Sequence, residues 1–311
     1  MSTYYTSKYS GEQIDEAVKK IMDGEMTGDY ADRQLSNLDT PQAALANLGA
    51  GVRPNLLDNG DFRAGHVVNQ RNISSVSTAG NYLIDRWKLY ASGTGSLVSK
   101  GVHLQNVVDF GTQIELARLE TGKTYTFSIY TADGKCGWVT HAFEGNVSES
   151  YVTVLGDTGI TLNAIYNWGN GSTNLVAFQG TAVLSYAKVE EGDTQTLAYQ
   201  DSTGAWQLLP QPESDYATQL VKCQRYLLMG PINAPVWCLG YAFLPTPVTI
   251  RANPAIIGKP AINSVESNTA YPDAIAAAIG IVNNGVLFSL QNVTETCYLH
   301  FPAGSGISCE L

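Results

Sequence analysis

The chain carries little charge, and most of the charge it has is negative. Only 15% of its 311 residues are charged, and 28 acidic side chains outnumber 18 basic ones. With a net charge of −10 and no basic cluster longer than Lys19-Lys20, the chain would repel a phosphate backbone or an anionic lipid surface. We therefore expect no nucleic-acid partner.

Long apolar runs are also lacking. The first residues, Met-Ser-Thr-Tyr-Tyr-Thr-Ser-Lys, contain no apolar segment of the kind found in signal peptides, and no uninterrupted run reaches the length of about 18 apolar residues that a membrane span requires. These absences predict a protein that is made in the cytoplasm without a signal peptide and does not insert into a membrane.

Cysteines are few and widely spaced. There are five, an odd number, with no Cys-x-x-Cys pair, so we expect neither a zinc site nor a disulfide framework. Their neighbours are mostly apolar, which favours buried free thiols over disulfides at Cys136, Cys223, Cys238, Cys297 and Cys309. The four histidines form no His-x-x-x-His or His-Glu-x-x-His pair, and we expect no metal and no cofactor.

Glycine and tyrosine are abundant, with 30 and 17 residues, and together with Ser, Thr and Asn they favour short strands and turns over helices. The apolar fraction of 44% suffices for two cores. The predicted fold is mainly β, with a two-sheet β-sandwich or jelly roll over residues 53–200. Its nine predicted strands are Leu83–Tyr90, Ser96–Val102, Thr112–Arg118, Thr124–Tyr130, Gly137–Phe143, Tyr151–Leu155, Gly159–Asn163, Leu175–Gln179 and Ala182–Val189.

Two short helices are predicted in residues 1–52. A capping box at Ser10–Gln13 precedes an apolar stripe at Ile14, Ala17, Val18 and Ile21, which predicts a helix over about 11–22. A second, two-turn helix follows Thr40-Pro41, with Leu45 and Leu48 on one face. Helices this short are unstable alone in water, so the stripes are expected to pack against copies of themselves or a docking partner. Folding back on their own chain is the alternative.

The stretch from 54 to 87 organises the sandwich. Asn55–Leu57 is predicted to be a strand that ends in an Asn59-Gly60 turn with positive φ at the glycine, and this strand is expected to lie beside the closing strand near Lys188. Farther on, residues 82–87 are predicted to form one continuous strand that delivers Trp87 to the core.

The second half of the chain is predicted to hold a linker and helix over 201–227 and a separate β domain over 228–311. Residues 213–227 show heptad-like spacing of Tyr216, Leu220, Cys223 and Leu227, a pattern suited to a helix on a threefold axis. Asn284-Gly285 is the strongest hairpin signal in the chain. The predicted distal strands are Trp237–Phe243, Val248–Arg251, Ala276–Val282, Val286–Leu290, Thr296–Phe301 and Gly306–Leu311.

Several separated phrases, in this order, resemble bacteriophage and prophage tail-fibre or receptor-binding proteins. They cover nearly the whole length and include Tyr9-Ser-Gly-Glu-Gln-Ile-Asp-Glu-Ala-Val18, the phrase from Leu35 to Ala50, Pro54-Asn-Leu-Leu-Asp-Asn-Gly-Asp-Phe62, Asp85-Arg-Trp87, Ala187-Lys-Val-Glu-Glu-Gly192, Lys222-Cys-Gln-Arg-Tyr226, Arg251-Ala-Asn-Pro254 and the terminal Cys309-Glu-Leu311. Cys309 stands where such proteins have alanine. No single phrase is specific, but their order is.

The resemblance implies a homotrimer in the virion, joined to phage tail or baseplate proteins through its amino terminus, with a carbohydrate-binding-module-like sandwich and a distal domain that contacts a host cell-surface polysaccharide. It carries over no catalytic residues. The expected function is attachment to a host glycan without cleaving it. A tail-spike glycan depolymerase and a purely structural tail or baseplate subunit are the two alternatives.

Sugar binding uses exposed flat aromatic rings beside amides and carboxylates. Two segments expected to be loops fit this pattern, and their candidate ligand-binding residues are Tyr166, Trp168 and Asn170 in the sandwich and Tyr271 and Asp273 in the distal domain. A structural role for the aromatic residues is the alternative.

Catalysis is weakly signalled. Three adjacent carboxylate or charge pairs, Asp58 with Asp61, Asp85 with Arg86 and Glu190 with Glu191, are the candidates for a glycan hydrolase, but each has a simpler role in a turn, an ion pair or a strand end. The Asp58–Asp61 segment also offers oxygen ligands for Ca²⁺, although the plain turn is favoured because the other ligands of an EF-hand loop are lacking. No Gly-x-Ser-x-Gly elbow accompanies the histidines. The sequence thus predicts a binding protein rather than an enzyme.

Overall fold

A computed structural model of the 311-residue chain describes residues 51–145, 150–168, 173–230, 232–236, 241–245, 255–257, 261–264, 270–271, 275–281, 285–290, 297–302 and 305–308. The chain forms two compact units. One unit comprises Met1–Val52 and Ala198–Pro210, and the other comprises Arg53–Leu197 and Gln211–Leu311. The predicted helices of residues 1–50 lie outside the described residues.

The larger unit contains a ten-stranded antiparallel sheet system. Its strands are β1 Ser75–Val76, β2 Tyr82–Ile84, β3 Trp87–Leu89, β4 Thr94–Val98, β5 Gly101–Glu115, β6 Thr124–Thr131, β7 Cys136–Ala142, β8 Ser150–Val154, β9 Ile160–Trp168 and β10 Thr173–Glu191. The main path runs β1-β4-β5-β10-β6-β7, while β9 joins β10 to β8 and β3 joins β5 to β2. The mainly β, sandwich-like fold is confirmed.

The long strand β10 links two groups of strands. Its first half, 173–180, lies between β5 and β9, whereas its second half, 184–191, pairs with β6. The change of partner falls at Gly180, where the register shifts and φ is +131°. A Cβ at this position would lie 2.2 Å from the carbonyl oxygen of Gly159, so only glycine fits the bend.

The core is built around Trp87, as the sequence predicts. Its indole is fully buried, stacks on Phe110 and Phe178 at centroid distances of 5.6 and 6.0 Å, and meets the edge of Phe62 at 4.9 Å. The indole N–H donates to the carbonyl oxygen of Asp58 at 3.1 Å, so burial leaves no unpaired donor.

The segment 55–62 lies along the second half of β10, in agreement with the prediction. Leu56 N donates to Val189 O at 2.8 Å, and Ala187 N donates to Gly60 O at 2.8 Å. Residues 55–57 are not a regular strand, however, and the positive φ of the turn, 58°, belongs to Asn59. Gly60 is required for another reason, because a Cβ there would lie 2.4 Å from the oxygen of Ala187.

Five of the predicted strands have different bounds in the structure. Residues 82–87 break into β2 and β3 at Arg86, whose φ is +73°, so the predicted alternation of faces through Trp87 is wrong. Ser96–Val102 spans the turn between β4 and β5, and β5 ends at Glu115 in a 3-10 helix over Leu116–Arg118. Leu175–Gln179 and Ala182–Val189 are the two halves of β10.

The predicted helix near 213–227 is shorter, and we call it α1, Tyr216–Gln224. The Asp215 carboxylate caps it by accepting from Thr218 N at 2.9 Å. Its buried residues are Gln219, which accepts from Asn59 N at 2.6 Å, and Cys223. Leu227 belongs to the following strand rather than to α1. Cys223 and Leu227, two of the four residues with heptad-like spacing, are therefore explained by packing within the chain.

The carboxyl-terminal strands form three antiparallel sheets. Their members are β13 Leu227–Met229, β14 Ile232–Val236, β15 Tyr241–Pro245, β16 Ala255–Ile257, β17 Ala261–Ser264, β18 Ala270–Tyr271, β19 Ile275–Ile281, β20 Gly285–Leu290, β21 Cys297–Phe301 and β22 Gly306–Ser308. The sheet orders are β13-β22-β16, β14-β21-β17-β18 and β15-β20-β19. Pairing of β19 with β20 confirms the hairpin predicted at Asn284-Gly285. The predicted strand Val248–Arg251 lies outside the described residues.

The described part of the smaller unit is a hairpin of β11 Ala198–Gln200 and β12 Trp206–Leu208. The strand numbers β11 and β12 follow chain order, between β10 and β13. In the hairpin loop the Asp201 carboxylate accepts from Thr203 and Gln207, hydrogen bonds that lower the pKa of Asp201 to about 2. Among the described residues of the whole chain, no helix has the length and apolarity needed to cross a membrane.

Candidate ligand-binding groove

Tyr166 is not the exposed ring that the sequence predicts. It lies on β9 rather than in a loop and is 2% exposed. Its ring meets the edge of Phe143 at 4.9 Å and lies 5.6 Å from the ring of His141. Tyr166 therefore has the structural role that was the alternative to sugar binding, because burial among neighbouring rings leaves no open face for a sugar.

The other candidates of the sequence analysis are only partly described. The backbone of Trp168 ends β9, and the backbone of Tyr271 lies in β18 opposite Ile262 rather than in a loop. The side chains of Trp168 and Tyr271 and the whole of Asn170 and Asp273 lie outside the described residues. Their roles in glycan binding stay predictions.

The carboxylates named as hydrolase candidates are engaged in ion pairs. Arg118 reaches Asp58 at 2.9 Å, Arg63 reaches Asp61 at 2.6 Å, and Lys123 reaches Glu191 at 2.9 Å, so each carboxylate has a basic partner. For Asp58, Asp61 and Glu191 the structure agrees with the simpler roles in a turn, an ion pair and a strand end, and the expectation that these residues are not catalytic stays a prediction. The Asp58–Asp61 segment is accordingly a turn whose carboxylates bind arginines.

A second buried pair lies on β10. Lys188 and Glu190 are both fully buried, with Lys188 Nζ 3.1 Å from Glu190 Oε2. The ammonium also donates to Thr196 Oγ1 at 2.8 Å and Gln211 Oε1 at 2.9 Å. Burial lowers the pKa of Lys188 to about 8, against the opposing effect of Glu190. Because both side chains are fully buried, we assign the Lys188–Glu190 pair a structural role rather than a role in ligand binding.

A groove with a volume of about 450 Å³ opens beside β1 and β2. That volume falls in the range of roughly 300–1,000 Å³ typical of small-ligand sites. The groove combines a guanidinium, a phenol, hydroxyls and an amide, contributed by Arg71, Ile73, Ser75, Val76, Ser77, Thr78, Gly80, Asn81 and Tyr82.

Main-chain hydrogen bonds hold the walls of this groove in place. On one side Leu97 N donates to Ser74 O at 2.8 Å, which fixes β1 against β4. On the other side Gly80 N donates to Leu89 O at 2.6 Å, and Leu89 N donates to Asn81 O at 3.0 Å. The polar segment between β1 and β2, which lines the groove, is therefore supported by regular strands. This arrangement is suitable for a preformed site.

Arg71 is positioned by a buried carboxylate and a ring. Asp85, which is fully buried, accepts from Gln70 N at 3.0 Å and Gln70 Nε2 at 2.6 Å, and lies 3.6 Å from Arg71 Nη1. The Arg71 guanidinium carbon lies 4.3 Å from the centre of the Tyr82 ring. These contacts orient the arginine at the groove wall.

Lys88 extends this cationic and aromatic arrangement along β3. Its Nζ lies 5.3 Å from the centre of the Tyr82 ring and 4.6 Å from that of Tyr90. Tyr82 and Lys88 are opposite each other in the β2–β3 pairing. The charged groups of Arg71 and Lys88 thus both lie close to the Tyr82 ring.

No protein-family model, curated protein or solved structure matches the chain. The groove must therefore be interpreted from its own chemistry.

Sequence reasoning passed over this groove, although the sequence holds a signal for it. Between Asp61 and Asp109 the chain contains five basic residues and one acidic residue, Asp85, within a protein whose net charge is −10. The basic residues of this segment are Arg63, Arg71, Arg86, Lys88 and Lys100. Of these five residues only Arg71 lines the groove, and Arg63 and Arg86 lie against Asp61 and Asp58, so the charge pattern is a weak signal for the site.

The arrangement is suited to binding polar ligands. Hydroxyls and the Asn81 amide both donate and accept hydrogen bonds, and Arg71 adds a fixed fork of donors. Among the described residues, no cluster of His, Cys, Asp and Glu able to hold a metal ion is present. The groove therefore favours recognition of a hydroxyl-rich molecule through hydrogen bonds.

Proposed function

We propose that this protein is a receptor-binding protein of the phage or prophage tail-fibre kind, which attaches to a host cell-surface glycan without cleaving it. The observation that carries the proposal is the groove beside β1 and β2, where Tyr82 and Arg71 lie among serine, threonine and asparagine side chains. Saccharides present hydroxyls together with apolar C–H faces, and these groups match such a lining.

The body that carries the groove also supports the proposal. A mainly β, sandwich-like unit presents loops on a rigid scaffold, and the order of sequence phrases resembles tail-fibre proteins over most of the chain. A jelly-roll topology, a homotrimer and attachment to the virion through residues 1–52 belong to this proposal. The distal domain, with Tyr271 and Asp273, is its second expected contact with the host.

Binding is favoured over hydrolysis by the state of the carboxylates. A glycan hydrolase needs two carboxyl groups facing the scissile bond. Asp58, Asp61, Glu190 and Glu191 instead have basic partners, and two of those pairs, Asp58 with Arg118 and Lys188 with Glu190, are buried or partly buried.

A glycan array probed with the full-length protein tests the proposal. We expect binding to a subset of cell-surface glycans and a loss of at least about tenfold in affinity, or 1.4 kcal/mol, for Tyr82→Ala. Tyr216→Ala is the matched control, because Tyr216 is a half-exposed tyrosine on α1 outside the groove. Absence of binding to any glycan, or equal loss in both variants, would contradict the proposal. Release of reducing ends from a bound glycan would favour the depolymerase instead.

A further inference from the structure

We propose that Lys188 forms an amide bond with the side chain of Gln211, a cross-link that the folded chain makes without an enzyme. The inference concerns a covalent modification of the fold and does not depend on glycan binding. Its starting observation is the distance of 2.9 Å between Lys188 Nζ and Gln211 Oε1. The carbon that an amine attacks, Gln211 Cδ, is bonded to that oxygen, so the two groups that would react are neighbours.

Lys188 has the surroundings of a nucleophilic lysine. Its side chain and that of Glu190 are both fully buried, and Lys188 Nζ lies 3.1 Å from Glu190 Oε2. Burial disfavours the ammonium form and lowers the pKa of Lys188 to about 8. The neutral amine is the form that attacks a carbonyl carbon, and removal of water activates lysine in this way. Glu190 lies within reach to accept the proton that the amine must lose.

The amide of Gln211 is held in place for this attack. Its Nε2 donates to the carbonyl oxygens of Thr196 and Leu197 at 3.0 and 3.2 Å, which leaves Oε1 facing Lys188. All these residues belong to the larger unit. Holding a nucleophile against the group that it attacks replaces a collision between free molecules by a step within one molecule, which greatly raises the rate.

Thr196 connects the amine to the carboxylate. Its hydroxyl accepts from Lys188 Nζ at 2.8 Å and donates to Glu190 Oε2. Its backbone N–H donates to Glu190 Oε1 at 2.6 Å. These bonds fix the carboxylate beside the amine and provide a hydroxyl through which a proton can pass between them.

The proposed step balances in atoms and charge. Glu190 takes one proton from the Lys188 ammonium, the Nζ–Cδ bond forms, and the Cδ–Nε2 bond of Gln211 breaks. A second proton of the amine passes to Nε2, which leaves as ammonia. The products inside the protein are a neutral amide and a neutral carboxyl group. Because enclosing two ions is costly, loss of the buried ion pair favours the reaction.

The cross-link would close a loop of the chain between positions 188 and 211. A covalent bond of this kind stabilises a fold mainly by restricting the unfolded chain. Until it forms, the folded chain carries the free Lys188–Glu190 ion pair, and the stability and titration of that pair belong to the unreacted protein.

Mass spectrometry of the full-length protein, incubated after purification, tests the inference. We expect a mass below that of the sequence by one molecule of ammonia. Cleavage after glutamate residues normally separates peptide 150–190, which contains Lys188, from peptide 192–213, which contains Gln211. We expect these two peptides to stay joined in the incubated protein.

Variants assign the bond to its two residues. Gln211→Met removes the carbonyl group that is attacked and leaves the Lys188–Glu190 pair in place, so the peptides should separate. Gln200→Met makes the same change at an exposed glutamine outside this cluster and should leave them joined. Glu190→Gln removes the proton acceptor and should lower the joined fraction at least tenfold. Melting temperatures show whether Glu190→Gln folds, and Gln211→Met decides the inference if it does not.

Each outcome decides the inference. Joined peptides in the wild type and Gln200→Met but not in Gln211→Met support it. Separate peptides in the incubated wild type overturn it, even when ammonia is lost, because a succinimide at Asn59-Gly60 would give the same mass without joining them. Joined peptides in Gln211→Met overturn the choice of Gln211. An equal joined fraction in Glu190→Gln overturns the role of Glu190 as proton acceptor.

Discussion

Lys188 is the most deeply buried of the described basic residues. It is fully buried on β10 together with Glu190 and is enclosed by Thr196 and Gln211. Burying two ions is costly, and the mutual attraction offsets that cost only when hydrogen bonds satisfy the remaining donors. The contacts to Thr196 and Gln211 supply those bonds, so the pair is stable as a unit.

Replacing one member of the Lys188–Glu190 pair should therefore destabilise the fold more than replacing both. We expect Lys188→Met to lower the free energy of unfolding by about 3–5 kcal/mol, because it leaves Glu190 buried without its cation. The double variant Lys188→Met/Glu190→Leu should recover most of that loss. Chemical denaturation of the two variants and the wild type measures the effect. A double variant less stable than the single one would contradict this account.

The lowered pKa of Lys188 predicts a pH effect. The folded value is about 8, whereas an unfolded lysine titrates near 10.4, so the unfolded chain binds more protons between these values. The contribution of Lys188 to the free energy of unfolding should accordingly rise with pH across this window, by up to about 3 kcal/mol. Buried Cys136 and Tyr186 have raised pKa values and act in the opposite direction.

The measurement is the difference between wild type and Lys188→Met/Glu190→Leu from pH 8 to pH 10. Burial is the larger cause of the raised pKa values of Cys136 and Tyr186 and is present in both proteins, so their contributions largely cancel in the difference. Wild type should gain stability relative to the double variant as the pH rises. A constant difference would show that Lys188 is not charged differently in the folded and unfolded states.

Tyr166 shows why single residues of a site were hard to predict. Its neighbours Asn167, Gly169 and Asn170 suggested a loop, but the residues that bury Tyr166 include Phe143 and His141, more than twenty positions earlier in the chain. Burial is decided by partners distant in sequence, and local composition does not reveal them. Trp87 was predictable because a large indole on a strand, here between Arg86 and Lys88, has few stable positions other than the core.

At the scale of the element, β10 is the strand that joins the parts of the sandwich. Its change of partners depends on Gly180, which combines a φ of +131° with close approach to Gly159. We expect Gly180→Ala to lower the free energy of unfolding by at least about 2 kcal/mol, because strain and collision with backbone add. Thermal or chemical denaturation measures the change.

Gly122 provides the matched control for this prediction. It also has a positive φ, +85°, but no atom lies within 4 Å of the position that a Cβ would occupy. Gly122→Ala should therefore show only the conformational cost, about 1 kcal/mol. Equal losses in the two variants would mean that the close approach to Gly159 contributes nothing.

Elements with regular alternation were the predictable ones. The strands β6, β7 and β8 alternate in the sequence and form close to their expected bounds. Errors occurred where one residue adopts an unusual backbone conformation, as at Arg86, or where a turn has no Gly-Asn signal, as between β4 and β5. The helix α1 was overextended because Leu227 pairs with Ser308, a partner eighty residues away.

At the scale of the whole molecule, the charge pattern and the buried ion pairs have separate roles. The pair of Lys188 with Glu190 lies inside the fold, whereas Arg71, beside Asp85, lines the groove. A single groove of the proposed kind would bind a saccharide weakly, so the proposed adhesion depends on how many chains act together.

We predict that three chains associate through the apolar stripe of residues 11–22, which lies outside the described part of the structure. Light scattering of the full-length protein should give three times the mass of one chain. Ile14→Asp/Ile21→Asp should dissociate it, because buried aspartates disrupt an apolar seam. Glu12→Asp/Lys19→Asp changes the net charge equally on the opposite face of the predicted helix and should stay trimeric.

Dissociating the trimer should weaken adhesion to a glycan surface without weakening the binding of one groove to a soluble ligand. The groove lies between residues 71 and 82, so the dissociated variant should bind a soluble oligosaccharide as the wild type does. On a dense glycan surface its apparent affinity should fall by about 10²–10⁴, because the second and third contacts are no longer intramolecular. A wild-type protein that is already monomeric, or a variant that adheres equally well, would show that attachment does not depend on three linked grooves.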